Sequence, residues 1–390
     1  NTNPANPIIG NRSFGSDINN VIAKGLAYAQ GLQDNGVLAS MKHFPGHGDT
    51  DTDSHLDLPV VSHNLERLNS VELAPFKALL DKKIGGVMVA HLYVPALEKQ
   101  SGIPASVSYE VITNLLKNTY QYNGLIITDA LNMNAVAKKF PAGELDLRAF
   151  KAGNDIMLFS QDVPNGKALI KSALEKGEIS ENRLAESVKK ILKTKYLLGL
   201  QNLKSINSEN INEDLNNASH AELSEKLYSN AITLLKDEKN LLPLSCSETY
   251  YYLPLEEAPF QTFVENLNLG TTVKVISKNE IAQIPENSTV IVGFHKDNST
   301  AYKSYKISQE SKDILAELSK KQNVILDVFG SPYALKDIDI TKISTVLVSY
   351  ENNDLSMKAS AKALLGKTKI SGKLPVIVNE NLKAGSGIEK

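Results

Sequence analysis

Leu125-Ile126-Ile127-Thr128-Asp129 is an apolar run that ends on a carboxylate. It has the length of one strand and no alternation of apolar and polar positions, so it reads as a strand buried on both faces. Upstream, Gly86-Val87-Met88-Val89-Ala90-His91-Leu92 has the same character, and Val37 to Phe44 reads as a strand after Gly36 stops a helix. Downstream, Asp155-Ile156-Met157-Leu158-Phe159 supplies a fourth. Amphipathic stretches lie between them. From Asp17 to Asn35, Ile18, Val21, Ile22, Leu26, Ala29 and Leu32 recur at helical spacing; Leu65, Leu68, Val71, Leu73, Phe76 and Leu80 do the same until Pro75 breaks or kinks the pattern. Further helices are expected over 111–120, 143–152, 167–175 and 180–198. Buried strands separated by helices predict an α/β unit with a parallel sheet covered on both faces. A closed (β/α)8 barrel needs eight strands, so four point to an open sheet or to a barrel without its first half.

Past Leu200 the chain turns polar and rich in Asn, Ser and Glu, which reads as a linker over 201–228 with one or two short helices. A second alternating region follows over 229–384, with strands expected at 249–253, 273–276, 289–293, 324–329, 345–349 and 375–378. Helices are expected at 259–267, 309–320 and 356–365, which together predict an α/β/α three-layer sandwich. Residues 385–390 read as a tail, and no internal repeat or low-complexity tract occurs.

The 390 residues carry 42 Lys and Arg against 44 Asp and Glu, a net charge of −2 that leaves no electrostatic footprint for nucleic acid or an anionic membrane surface. Hydrophobic residues make up 42% and charged ones 22%, a globular composition. Cys246 is the only cysteine, which excludes an intramolecular disulfide framework. No apolar run reaches the roughly 18 residues that a membrane span requires. The chain opens on Asn1-Thr2-Asn3-Pro4 without an initiator Met, so processing or truncation is expected and localisation is not legible.

Three segments could carry chemistry. Lys42-His43-Phe44-Pro45-Gly46-His47-Gly48-Asp49-Thr50-Asp51-Thr52-Asp53-Ser54-His55 places three of the seven histidines directly after a strand. Strand C-termini are where sites assemble in parallel α/β folds, although such a loop also reads as a solvated acidic surface. His43, His47 and the aspartates are ligand types for zinc, but Pro45, Gly46 and Gly48 forbid the helix on which a His-x-x-x-His pair would share a face; no metal is expected. Asp129 either points into a site or caps the following helix. By themselves Arg12, in Asn11-Arg12-Ser13-Phe14-Gly15, reads as a surface residue more than a ligand clamp, and His91, at a strand end, as a satisfied core histidine.

Taken together, Asn11–Gly15, Lys42–His55 and Ile127-Thr128-Asp129-Ala130-Leu131-Asn132-Met133 resemble glycoside hydrolase family 3, specifically its bacterial β-N-acetylglucosaminidase (β-N-acetylhexosaminidase) branch. The β-glucosidase branch shows a Ser-Asp-Trp nucleophile motif instead and lacks the Asp-Ser-His loop. The second region is similar to the family's C-terminal sandwich through Ala231-Ile232-Thr233-Leu234-Leu235-Lys236, Leu241-Leu242-Pro243-Leu244 and Gly372-Lys373-Leu374-Pro375-Val376. The resemblance implies that residues 1–200 are the C-terminal part of a (β/α)8 TIM-type barrel. It also implies a longer parent protein with domains beyond both ends, and little activity for this piece alone.

The resemblance further implies a retaining double displacement, with Asp129 as nucleophile, His55 as acid/base and Asp53 as the carboxylate that orients it. Arg12, Lys42 and His43 match residues that bind sugar hydroxyls; His47 and Asp49 read as residues that organise the loop, with direct sugar contact as the alternative. The implied substrate is a terminal β-linked N-acetylglucosamine on a peptidoglycan fragment, muropeptide or chitin oligosaccharide, with no metal or organic cofactor. Transfer to phosphate by the same scaffold and a non-catalytic carbohydrate-binding role are the alternatives.

Overall fold

The computed structural model describes residues 1–6, 8–51, 58–297 and 305–390. They form two units, Asn1–Ser205 and Ile206–Lys390.

In the first unit, helix α1 (Ile18–Asp34) starts on Asp17, whose side chain accepts from the Asn20 amide at 2.8 Å and satisfies one of the open N-terminal donors. Ile22, Leu26 and Leu32 turn inward. Strand β1 (Ser40–Phe44) pairs in parallel with β2 (Gly86–Val89), and β2 with β3 (Leu125–Thr128). Between β1 and β2 the helical stretch 65–80 is a turn Leu65–Arg67, a π-helical turn Leu68–Glu72 and α2 (Ala74–Leu80). Pro75 sits in the first turn of α2, where its missing N–H costs nothing. The core consists of Phe44, Leu68, Leu73, Val87, Val89, Leu92, Ile112 and Ile126, all essentially inaccessible.

The expected fourth strand is reduced to one bridge between Ile127 and Ile156. Asp155 explains this: its carboxylate accepts the Ile126 amide at 3.1 Å, occupying a ladder position that a backbone carbonyl would fill. The same carboxylate holds Ser187 and Lys190 of α5 (Glu181–Leu197), which follows α3 (Glu144–Ala152) and α4 (Val163–Glu175). A strand position was therefore spent on tying the last helix to the sheet.

The second unit begins with Ile211–Leu215 and α6 (Ala218–Ala231) and contains a six-stranded sheet. Its strands are β4 (Thr233–Asp237), β5 (Thr249–Leu255), β6 (Thr272–Val275), β7 (Thr289–His295), β8 (Asn323–Phe329) and β9 (Thr345–Val348), in the order β4-β9-β8-β7-β5-β6. All pairs are parallel except β4 with β9. Alternate residues feed two cores. Val290, Val292 and Phe294 meet Leu315 and Leu318 of α8 (Gln309–Lys321), while Ile291, Ile325 and Leu347 meet α7 (Gln261–Leu267) and α9 (Asp354–Leu364) on the other face. This is a three-layer α/β/α sandwich. Residues 375–378 form no strand; Val376 and Val378 are buried, but Pro375 lacks a ladder donor and the segment bonds locally, Val378 to Leu382 and Gly385 to Leu374. Residues 385–390 lie against the sheet, where Ile388 donates to the Leu234 carbonyl and Lys390 exchanges both backbone bonds with Ile370.

Candidate active site

Asp129 follows β3 directly. Its amide donates to the Val89 carbonyl at 2.9 Å and its Oδ1 accepts from the Ala130 amide at 2.9 Å. It does not cap a helix: the next helical segment, Asn134–Ala137, starts at Met133 and has no side-chain cap. The helix cap that the sequence left open does not form, and Oδ2 lies 3.9 Å from His43 Nε2.

His43 is placed by strand alternation on β1, which buries Met41 and His43 and exposes Ser40 and Lys42. Burial pulls its imidazole down to about 3, and neighbouring His47, Lys42 and Arg12 push the same way against the opposing pull of Asp129. The ring is therefore neutral at neutral pH, and its approach to Asp129 is not an ion pair. His47 sits edge-on to it at 5.9 Å, and its Nδ1 lies 2.9 Å from Thr50 Oγ1. Asn6 holds this turn by donating to the His47 carbonyl at 2.8 Å.

Arg12, Lys42, His43 and His47 line one cleft of about 510 Å³, whose apolar wall comes from α1 and α2 through Val21 and Phe76. Arg12 and Lys42 are exposed. Asp129 is not among the lining residues; its Oδ2 lies 3.9 Å from His43 Nε2, which is. Asp53 and His55 lie outside the described residues.

Asp49 belongs to a different group. Its Oδ2 accepts from His63 Nε2 at 2.7 Å and faces Arg67 Nη2 at 3.4 Å, and the same Nη2 lies 3.3 Å from Glu72 Oε1. Asp49, His63 and Glu72 place one donor atom each within 4.8 Å, a metal-like grouping among the described residues. Arg67 stands between the two carboxylates and supplies the positive charge, so these residues work as an ion-pair network. Sequence reasoning missed His63, Arg67 and Glu72. A signal existed for one: Glu72 lies on the helical line between Leu68 and Phe76, both buried, and a carboxylate in such a row needs a partner. Gly46, at φ +133°, lets the chain pass here, since a Cβ would stand 2.8 Å from Glu72 Cβ.

The first unit is thus a parallel α/β unit whose cleft is lined by two imidazoles and two cations, with Asp129 beside His43, and a three-layer α/β/α sandwich follows it in the chain. Residues 1–194 match the glycosyl hydrolase family 3 N-terminal domain. β-Hexosaminidase A from Pseudoalteromonas piscicida is 31% identical over 438 residues, covering 97% of this chain and 72% of the relative. A β-N-acetylglucosaminidase/β-glucosidase from Cellulomonas fimi is 25% identical, covering 95% and 71%. The solved family 3 β-N-acetylglucosaminidase of Paenibacillus sp. str. FPU-7 aligns at a TM-score of 0.77 with 31% identity, over 97% of this chain and 74% of that one. The chain belongs to glycoside hydrolase family 3, in its bacterial β-hexosaminidase/β-N-acetylglucosaminidase branch. Among the described residues no helix is long and apolar enough to cross a membrane.

Proposed function

We propose that the chain carries the catalytic machinery of a retaining β-N-acetylglucosaminidase, with Asp129 as the nucleophile. The observation that carries this reading is the Asp129 carboxylate at the end of β3, with Oδ1 taken by the Ala130 amide and Oδ2 directed toward His43. A nucleophile needs one oxygen held and the other available. Oδ2 attacks the anomeric carbon while the glycosidic C–O bond breaks, and His55 gives its proton to the departing oxygen. In the second step neutral His55 takes a proton from water, the water oxygen attacks the anomeric carbon, and the Asp129 ester bond breaks. Two inversions give net retention. Asp53 orients the His55 imidazole, whose ordinary pKa near 6.5 suits both proton transfers.

Arg12 and Lys42 are the charged donors for sugar hydroxyls, and His43 is a neutral one, which burial makes possible. His47 and Asp49 organise the loop, His47 through Thr50 and Asp49 through His63 and Arg67. The N-acetyl substrate is supported by the Cellulomonas fimi and Paenibacillus relatives, whose names carry that activity. A terminal β-linked N-acetylglucosamine of peptidoglycan or chitin fragments fits this chemistry.

The test is product analysis with the intact protein on 4-nitrophenyl β-N-acetylglucosaminide and the matching β-glucoside, with and without phosphate. We expect preference for the N-acetyl substrate, free sugar of retained configuration and a covalent sugar adduct on Asp129 by mass spectrometry. Sugar 1-phosphate as the main product would make the protein a phosphorylase, and an adduct elsewhere would remove the assignment of Asp129.

A further inference from the structure

His91, two residues past the end of β2, is 1% exposed and both its ring nitrogens have partners. Nε2 lies 3.0 Å from the Ala130 carbonyl and Nδ1 lies 2.7 Å from Ser106 Oγ. A carbonyl oxygen can only accept, so Nε2 must carry the proton, and bare Nδ1 then accepts the Ser106 hydroxyl. Ser106 is itself fixed: its amide donates to the Ala90 carbonyl at 3.1 Å, and its carbonyl accepts from Asn154 Nδ2 at 2.9 Å. Asn154 is anchored in turn to the Ala149 carbonyl at 2.7 Å. Burial lowers the imidazole's pKa, which favours the neutral ring, and these two bonds select its tautomer.

The far end of the chain of bonds is the turn that bears the carboxylate. Ala130 gives its amide to Asp129 Oδ1 and its carbonyl to two donors, His91 Nε2 and the Met133 amide. Rotation of the Ala130 backbone would move the amide that holds Oδ1. We propose that His91 is a positioning residue that fixes the Ala130 turn and through it the attacking direction of Asp129 Oδ2, a reading that rests on Asp129 being the nucleophile. His91 is buried and is not among the residues that line the cleft. Misplacing a reacting group by about 1 Å costs on the order of 100-fold in rate, so a link outside the contact shell is enough to matter.

Glutamine and asparagine separate the two ends of the ring. A glutamine amide nitrogen reaches the place of Nε2 and can donate to the Ala130 carbonyl; an asparagine amide reaches only the place of Nδ1, beside Ser106. In the intact enzyme we expect His91→Gln to keep kcat within a few fold. We expect His91→Asn to lower kcat by about 10–100-fold with little change in KM, while both shift the melting temperature alike. Equal kcat for the two variants, or losses that follow the melting temperature, would overturn the proposal. Asp129→Ala is measured alongside: retained turnover there sinks the nucleophile reading itself, an outcome distinct from a failure at His91. The unmodified protein offers a second readout, in which nitrogen-15 NMR should show His91 protonated at Nε2; protonation at Nδ1 would contradict the derived link.

Discussion

Both units carry histidines and aspartates at or within their parallel strands, and two pairs, His295 with Asp327 and His43 with Asp129, are finished in opposite ways. In the second unit His295, the last residue of β7, stacks on Phe329 at 4.6 Å, accepts the Tyr252 hydroxyl at Nε2 and faces Asn352 Oδ1 from Nδ1 at 2.5 Å. Gly293 leaves the room Tyr252 needs, since a Cβ there would meet its hydroxyl. Asp327, in the middle of β8, takes the Ser349 hydroxyl on Oδ1 and the Ser360 hydroxyl on Oδ2. Both carboxylate oxygens of Asp327 and both ring nitrogens of His295 have partners. In the first unit His43 and Asp129 stop 3.9 Å apart, too far for a hydrogen bond, and His43 borders a cleft. Residue types at strand ends are therefore no measure of function; the decisive difference is whether the polar atoms already have partners.

Removing a carboxylate on each side gives the sharpest contrast. Asp129→Ala should lower kcat by more than about 10³-fold without loss of folding, seen as an unchanged circular dichroism melt. Asp327→Asn should leave kcat alone and change only stability. A smaller effect is expected at the cleft rim: Lys42→Ala loses a charged hydrogen bond worth about 1.5–3 kcal/mol, so kcat/KM should fall by about 10–100-fold. An unchanged value would place Lys42 outside the sugar site.

The smallest effects lie in pH dependence. Burial raises Asp327 to about 6, so its contribution to stability is fully present below the unfolded value of 3.8 and is lost as pH rises through 6. Burial lowers His295 to about 4, so its contribution is present above 6.5 and is lost as pH falls through 4. Each amounts to roughly 3 kcal/mol over its range. Between pH 4 and 6 the two slopes oppose one another. Denaturant midpoints of the unmodified chain should therefore change little from these two groups in that window. Asp327→Asn should leave stability rising with pH, and His295→Gln should leave it falling. Parallel curves for both variants would show that the two groups do not titrate as buried partners of this sheet.

Much of this architecture was legible in advance because it rests on local pattern. The α1 periodicity, the apolar runs of β2 and β3 and the alternating strands of the sandwich are properties of neighbouring residues. The same holds for the position of Asp129 at a strand end and for the clustering of Lys42, His43 and His47. What escaped was long-range. Asp155 took a ladder position from a strand that looked complete, and the His63–Arg67–Glu72 group formed around Asp49 across a turn.

The sequence by itself determined the α/β class, the order of the two units, the family and the residues on which chemistry could rest, because apolar period and local motif survive without coordinates. Only the tertiary structure decided which Asp129 oxygen is held, that burial lowers the His43 imidazole, that Asp49 faces His63 and Arg67, and that His91 meets the Ala130 carbonyl. Those facts depend on burial and on partners far away in the chain, and a linear pattern carries no information about which distant donor will reach a given acceptor.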